Sequence, residues 1–214
     1  MDVTEVTGEV TDKVTEFNMD TIPDGSTILI TCESNAGMSS VIHDILAHKS
    51  DIPKSVIFAT KEHKYPQNAG TCFRNEYSSE HVEQDIVIRQ STIFDERHIS
   101  PHTDRRVMAV FDDCFRDGAW TNDRCMKPFF TMSRSLAITS IFGLRQISGI
   151  PPFMIHGTDV LFIGKQGQEI ERKRINDRFV HSADFSSLVD RYTNDYGFLV
   201  FHKDTLSHYR VNKK

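Results

Sequence analysis

Six short apolar runs, separated by longer amphipathic ones, set the fold class of this chain. The runs are Ser26–Cys32 (STILITC), Ser55–Thr60 (SVIFAT), Val107–Phe111 (VMAVF), Ala137–Leu144 (AITSIFGL), Asp159–Gly164 (DVLFIG) and Gly197–His202 (GFLVFH). Each is rich in Val, Ile, Leu or Phe and reads as a strand buried on both faces. Between them the period changes. Gly37–His48 places Met38, Val41, Ile42, Ile45 and Leu46 on one helical face, and Asp123–Leu136, Gln168–Val180 and Asp184–Tyr192 also read as helices. Strands alternating with helices predict an α/β domain, a mostly parallel central sheet with helices on both faces.

Two stretches resist this reading. Residues 61–76 are polar and irregular. Glu80–Gln90 fits either period: Val82, Ile86 and the acids suggest a helix after Ser78-Ser79, whereas DIVIR alone suggests a strand.

Charge separates the N-terminus from the rest. Residues 1–20 hold Asp2, Glu5, Glu9, Asp12, Glu16 and Asp20 against Lys13 alone, which leaves 24 basic and 24 acidic side chains for the remainder. Val3, Val6, Val10, Val14 and Phe17 stand at helical spacing, but the β-branched content and Gly8 weaken a helix there. We therefore expect an acidic extension over residues 1–21, mobile or docked on a partner, and a folded domain over 22–214, with the turn Ile22-Pro23-Asp24-Gly25 at the boundary. The alternative is that the Val stripe belongs to the core. A neutral body lacks the basic face of a stand-alone duplex-DNA binder, although Arg172, Lys173 and Arg174 form a local basic group. No apolar run reaches the roughly 18–20 residues that span a bilayer, so no membrane contact is expected. Cys32, Cys72, Cys114 and Cys125 are far apart with no C-x-x-C pair, which favours free thiols over a zinc site.

In a parallel sheet the ligand site lies beyond the C-terminal strand ends. The first strand runs straight into Cys32-Glu33-Ser34-Asn35-Ala36-Gly37-Met38-Ser39-Ser40 and then a helix. That order suits a phosphate-binding loop, whose backbone N–H groups and helix N-terminus face an anion. Gly37 stands where the second motif glycine belongs, and Ser39 where a hydroxyl would ligate Mg²⁺. Cys32 replaces the first glycine. Met38 replaces the lysine, and a thioether neither carries charge nor donates a hydrogen bond. An ordinary strand–turn–helix is the bland alternative. The strand VMAVF ends in Asp112-Asp113, as a Walker B element does, with the first acid toward Mg²⁺ and the second toward the attacking water. A capped strand end with solvated acids is the alternative there.

Other chemistry-bearing groups are weaker. His98-x-x-x-His102 lies in a Pro-flanked polar stretch without a cysteine ligand nearby. Cys114 has no legible His–Asp partner. Trp120 either anchors a loop in the core or stacks on a base.

Three stretches, ITCESNAGMSSVIHDILAHKSDIPKSVIFAT, FDDCF and ISGIPPFMIHGTDVLFIGKQGQEIERKRINDRF, resemble the DNA-packaging ATPases of nucleocytoplasmic large DNA viruses, which are FtsK/HerA-type P-loop motors. The similarity runs from about Ser26 to Lys203. Its most specific parts are Asp112-Asp113-Cys114, the Ile150-Pro151-Pro152 turn, and Arg172-Lys173-Arg174-Ile175. The resemblance implies a RecA-like P-loop NTPase fold and makes Glu80–Gln90 a helix. It also implies a site in which Gly37, Met38, Ser39 and Ser40 meet the nucleotide and Ser39 and Asp112 hold the metal. Asp113, Arg134 and Arg145 are the implied catalytic side chains.

Departures from the family are as informative. Beside Met38, the place of the family's γ-phosphate-sensing glutamine falls on Arg145, or on Gln146 after a shift of one residue. Relatives carry an arginine after the double proline where this chain has Ile155, whereas Arg134 matches a family arginine. We accordingly expect a degenerate member that binds ATP and Mg²⁺ weakly or not at all. It would serve as a non-hydrolysing binding or assembly subunit on an active packaging ATPase or another virion protein. A ring oligomer, weak DNA contact, and residence in the host-cell cytoplasm (the viral factory) or the virion complete that expectation. The alternatives are an active packaging motor with an unusual loop, and a structural virion protein without nucleotide.

Overall fold

The structure, a computed structural model, describes residues 14–61, 65, 70–95, 103–115 and 118–211. Its strands are β1 (Thr15–Glu16), β2 (Thr27–Thr31), β3 (Ser55–Ala59), β4 (Thr71–Arg74), β5 (Val107–Asp112), β6 (Ile138–Leu144), β7 (Val160–Ile163), β8 (Gly197–His202) and β9 (Thr205–Arg210). They form one nine-stranded sheet in the order β1-β9-β8-β7-β2-β6-β5-β3-β4. From β7 to β4 all neighbours are parallel, while β8 runs antiparallel to both β7 and β9. The helices are α1 (Met38–His48), α2 (Ser79–Val82), α3 (Arg89–Asp95), α4 (Lys127–Thr131), α5 (Pro152–His156), α6 (Glu169–Ile175) and α7 (Phe185–Tyr192). A π-helical stretch, Glu83–Ile88, joins α2 to α3, so the helix implied over Glu80–Gln90 is present.

Every residue of β2, β5, β6 and β7 is buried, which is why those segments read as continuous apolar runs. Alternation along β2 sorts the core into two layers. Ile28 and Ile30 face α1, through Val41, Ile42 and Ile45, while Leu29 joins the opposite layer with Phe129, Met154, Ile175 and Val189. In that layer Phe58, Phe111 and Phe142 sit in register on three adjacent strands, with ring centroids 5.0 and 4.8 Å apart. Trp120 stacks on Phe115 at 4.0 Å and is buried, so it anchors the core.

Several expectations change. Residues 14–21, assigned to the extension from the sequence, are joined to the sheet. Thr15 and Glu16 pair with Ser207 and His208, Val14 and Phe17 are buried, and Phe17 meets Phe162 edge-on at 5.6 Å. Val3, Val6 and Val10 lie outside the described residues, as do His98 and His102. Residues 61–76 contain strand β4. Of Asp123–Leu136 only Lys127–Thr131 is α-helical, after a 3-10 turn at Arg124–Met126 and with Pro128 in the first turn. Among the described residues, no helix is long and apolar enough to cross a membrane.

Candidate nucleotide-binding site

Strand β2 lies between β6 and β7, and its chain leaves over the C-terminal edge into α1, crossing two strands to reach β3. Such a switch opens a crevice at the strand ends. Here it is a groove of about 400 Å³ bordered by the 33–40 loop, the ends of β5 and β6, and Tyr196.

The loop has the backbone of an anion cradle. Asn35 and Gly37 take left-handed conformations, with φ of 64° and 102°. A side chain at Gly37 would strike Tyr196, its Cβ falling 2.9 Å from that ring, so glycine is required on two counts. No side chain caps α1, and its first residues, Met38, Ser39 and Ser40, border the groove. Glu33 fastens the loop from behind: its amide donates to the Lys165 carbonyl at 2.9 Å and its carboxylate accepts from the Gly167 amide. The Met38 amide donates to the Cys32 sulfur, yet burial dominates and pushes that thiol up to about 12. Burial likewise raises the Cys114 thiol, which makes it an inert core group.

The acid side is more completely built. Asp112, at the end of β5, is buried, and its Oδ2 accepts from the Ser39 hydroxyl at 3.0 Å and from the Tyr65 phenol at 2.5 Å. Burial, then the Asp112 charge, raises the Tyr65 phenol, so it stays a donor. A hydroxyl and a carboxylate oxygen side by side, open to phosphate oxygens, make an oxygen-only donor set of the kind Mg²⁺ takes. Ser39 and Asp112 therefore fit the metal role expected of them.

Asp113 follows in a left-handed conformation (φ 47°) and borders the groove. There Arg145 holds it: Nε donates to Asp113 Oδ2 at 2.8 Å, one terminal nitrogen donates to the same oxygen, and the other donates to Ser34 Oγ at 2.9 Å. The hydrogen bond to Asp113 and its charge raise the Arg145 guanidinium above the usual range. Gln146 lines an adjoining hollow with Gln166 and Glu171.

Met38 lies against β6. A Cβ on Gly143 would fall 2.8 Å from the Met38 sulfur and 3.4 Å from Asp112 Oδ1. The thioether thus sits in the slot between loop and acid, where a lysine would bring charge. Ser40 completes the loop side.

The structure does not bring Arg134 to this groove. Arg134 precedes β6 and pairs with Asp159 at the start of β7, at the other end of the sheet, about 20 Å of strand away. Its side chain is 70% exposed, and Ile155 borders the same hollow. Arg172 and Arg174 are engaged within the fold, Arg172 with Asp190 at 2.7 Å and Arg174 with Glu171 at 2.9 Å, while Lys173 is exposed. Tyr65 and Tyr196 escaped the sequence reading, since an isolated tyrosine in a polar stretch or after a helix carries no pattern.

No protein-family model matches the chain, and no curated protein matches it in sequence. Its fold, however, has clear counterparts. It is similar to B204, the DNA-packaging ATPase of Sulfolobus turreted icosahedral virus, with a TM-score of 0.67 at 10% identity over 90% of this chain and all of that one. The genome-packaging NTPase B204 of Sulfolobus turreted icosahedral virus 2, in complex with ATP-gammaS, gives 0.66 at 12% identity over 92% of this chain and all of that one. The pCW3 conjugation coupling protein TcpA gives 0.64 at 11% identity, covering 87% of this chain and 60% of TcpA. The fold is that of RecA-like P-loop ATPases. Within that fold, the 33–40 loop, Ser39 and the paired acids border one groove at the C-terminal strand ends.

Proposed function

We propose that this chain is a viral DNA-packaging-ATPase-like protein that takes up nucleotide between the 33–40 loop and Asp112 without turning it over. The observation that carries the reading is an asymmetry in one groove. The metal pair Ser39–Asp112 is kept at hydrogen-bond distance, whereas a thioether fills the lysine slot. A charge-assisted contact to phosphate is worth roughly 1.5–3 kcal/mol, so its loss weakens binding and removes charge compensation where the transition state needs it most. The sheet order orients the ligand: the acids and Arg145 lie toward β5 and β6 and Tyr196 leads into β8, so the triphosphate points to the former and the nucleoside to the latter. The degenerate resemblance to packaging motors of large DNA viruses makes the chain a binding or assembly subunit, docked on an active packaging ATPase or another virion protein. It would act in the host-cell cytoplasm or the virion, with DNA contacted weakly.

A titration with a fluorescent ATP analogue, with and without Mg²⁺, tests this reading alongside a steady-state hydrolysis assay. Weak, Mg²⁺-assisted binding without turnover is the expected result. Absence of any binding would favour a purely structural virion protein. A second reading, an active ring motor, draws support from Arg134, whose guanidinium, paired with Asp159, stays largely exposed at the far end of the sheet, where a neighbouring copy would meet it. A stable homohexamer that binds duplex DNA at physiological salt would establish that reading in place of ours.

A further inference from the structure

We infer that Arg145 is the phosphate cation of this site, and that its ion pair with Asp113 is a resting latch which nucleotide must open. The inference rests on the nucleotide reading of the groove and names the group that takes over from the missing lysine.

Charge balance in the groove comes first. Among the described residues its lining holds three carboxylates, Glu33, Asp112 and Asp113, and a triphosphate would add several more negative charges. Met38 offers no compensation. Among the described residues, the cations in the lining are Lys61 and Arg145. Lys61 follows β3, which is separated from β2 by β6 and β5, so its backbone starts three strand spacings from the loop. Arg145 follows β6, the strand beside β2, and already touches the loop through Ser34.

Geometry narrows it further. The guanidinium spans the groove, with one edge on Asp113 and one on Ser34, so it stands across the space between the cradle of amides and the second acid. A planar fork that now grips a carboxylate can grip a phosphate by the same contacts. The current pair opens at little cost, because Arg145 and Asp113 are 59% and 39% exposed and ion pairs of that kind are weak. A terminal phosphate would draw Arg145 off Asp113 and leave that carboxylate unpaired. Asp113 is thus a competitor for the cation the nucleotide needs.

The competition has a distinctive consequence. Dissociation constants for a fluorescent ATP analogue, and by competition for ATP and ADP, are measured on the full chain as wild type, R145A, R145K, D113N and R145A/D113N, each checked for folding by circular dichroism. R145A should weaken ATP about tenfold or more and ADP less, with R145K recovering part of the loss. D113N should tighten ATP several-fold by releasing the latch, and that gain should vanish in the double variant. An R145A affinity equal to wild type overturns the inference, and so does a D113N variant that binds more weakly. Failure of the wild type to bind any nucleotide overturns instead the nucleotide reading on which it rests.

Discussion

The two walls of the groove are built to different standards. The acid wall is dense: Asp112 is buried, takes hydrogen bonds from Ser39 and Tyr65, and rests on strands paired along their whole length. The loop wall has the backbone of an anion cradle, with Asn35 and Gly37 left-handed and the start of α1 uncapped, but carries the uncharged Met38 between loop and acid. Backbone geometry survives because the fold itself enforces it, as the collision of any side chain at Gly37 with Tyr196 shows. A side chain that only serves phosphate has no such support. On our reading the acid wall doubles as structure, and Arg145, which touches the loop through Ser34, stands in for the charge the loop lacks.

Breaking the acid wall should have the largest effect. Asp112→Ala removes the carboxylate oxygen on which Ser39 and Tyr65 converge and should abolish the Mg²⁺-assisted part of ATP binding. Leaving two donors without their acceptor should also cost about 1–3 kcal/mol, or roughly 3–10 °C in melting temperature for a domain of this size. Repairing the loop wall is the complementary test. Met38→Lys should raise ATP affinity about tenfold in the same titration, while turnover stays at background because Arg145 still ties Asp113 and Ile155 still lacks a charge. Gly143→Ala should act more gently. Its new methyl must displace the flexible end of Met38 toward the groove, so ATP affinity should fall several-fold with the melting temperature nearly unchanged. Smallest is Tyr196→Ala, which should weaken ATP by a few-fold and inorganic triphosphate not at all, since Tyr196 lies at the nucleoside end. Equal losses for both ligands would mean that the orientation along the loop is reversed.

The six strands legible in the sequence, β2, β3, β5, β6, β7 and β8, are the inner ones, each flanked on both sides by a strand of four or more residues. What the apolar pattern did not show are the strands near the sheet margins. β4 is half-buried and pairs with β3 alone, so Thr71–Arg74 carries no continuous apolar run. β9 alternates weakly because its other neighbour is the two-residue β1. Val14 and Phe17 did belong to a visible stripe, but their acidic surroundings suggested a tail, and only the pairing of Thr15 with Ser207 shows how such a segment is absorbed. The candidate site was legible where spacing is diagnostic, in Gly37, Ser39 and Asp112-Asp113, which the fold brings to one groove. Tyr65 and Tyr196 were not, because they reach the groove through tertiary packing. The position of Arg134 far from the groove likewise follows from strand direction, which motif order does not reveal.

The most direct test of the central claim pairs binding with turnover in one preparation. Wild-type protein saturated with Mg²⁺ and a fluorescent ATP analogue should show reversible binding, and the same sample should release phosphate no faster than buffer. Several turnovers per minute that disappear in Asp113→Asn would contradict the account, since Asp113 would then be orienting a water and not merely holding Arg145.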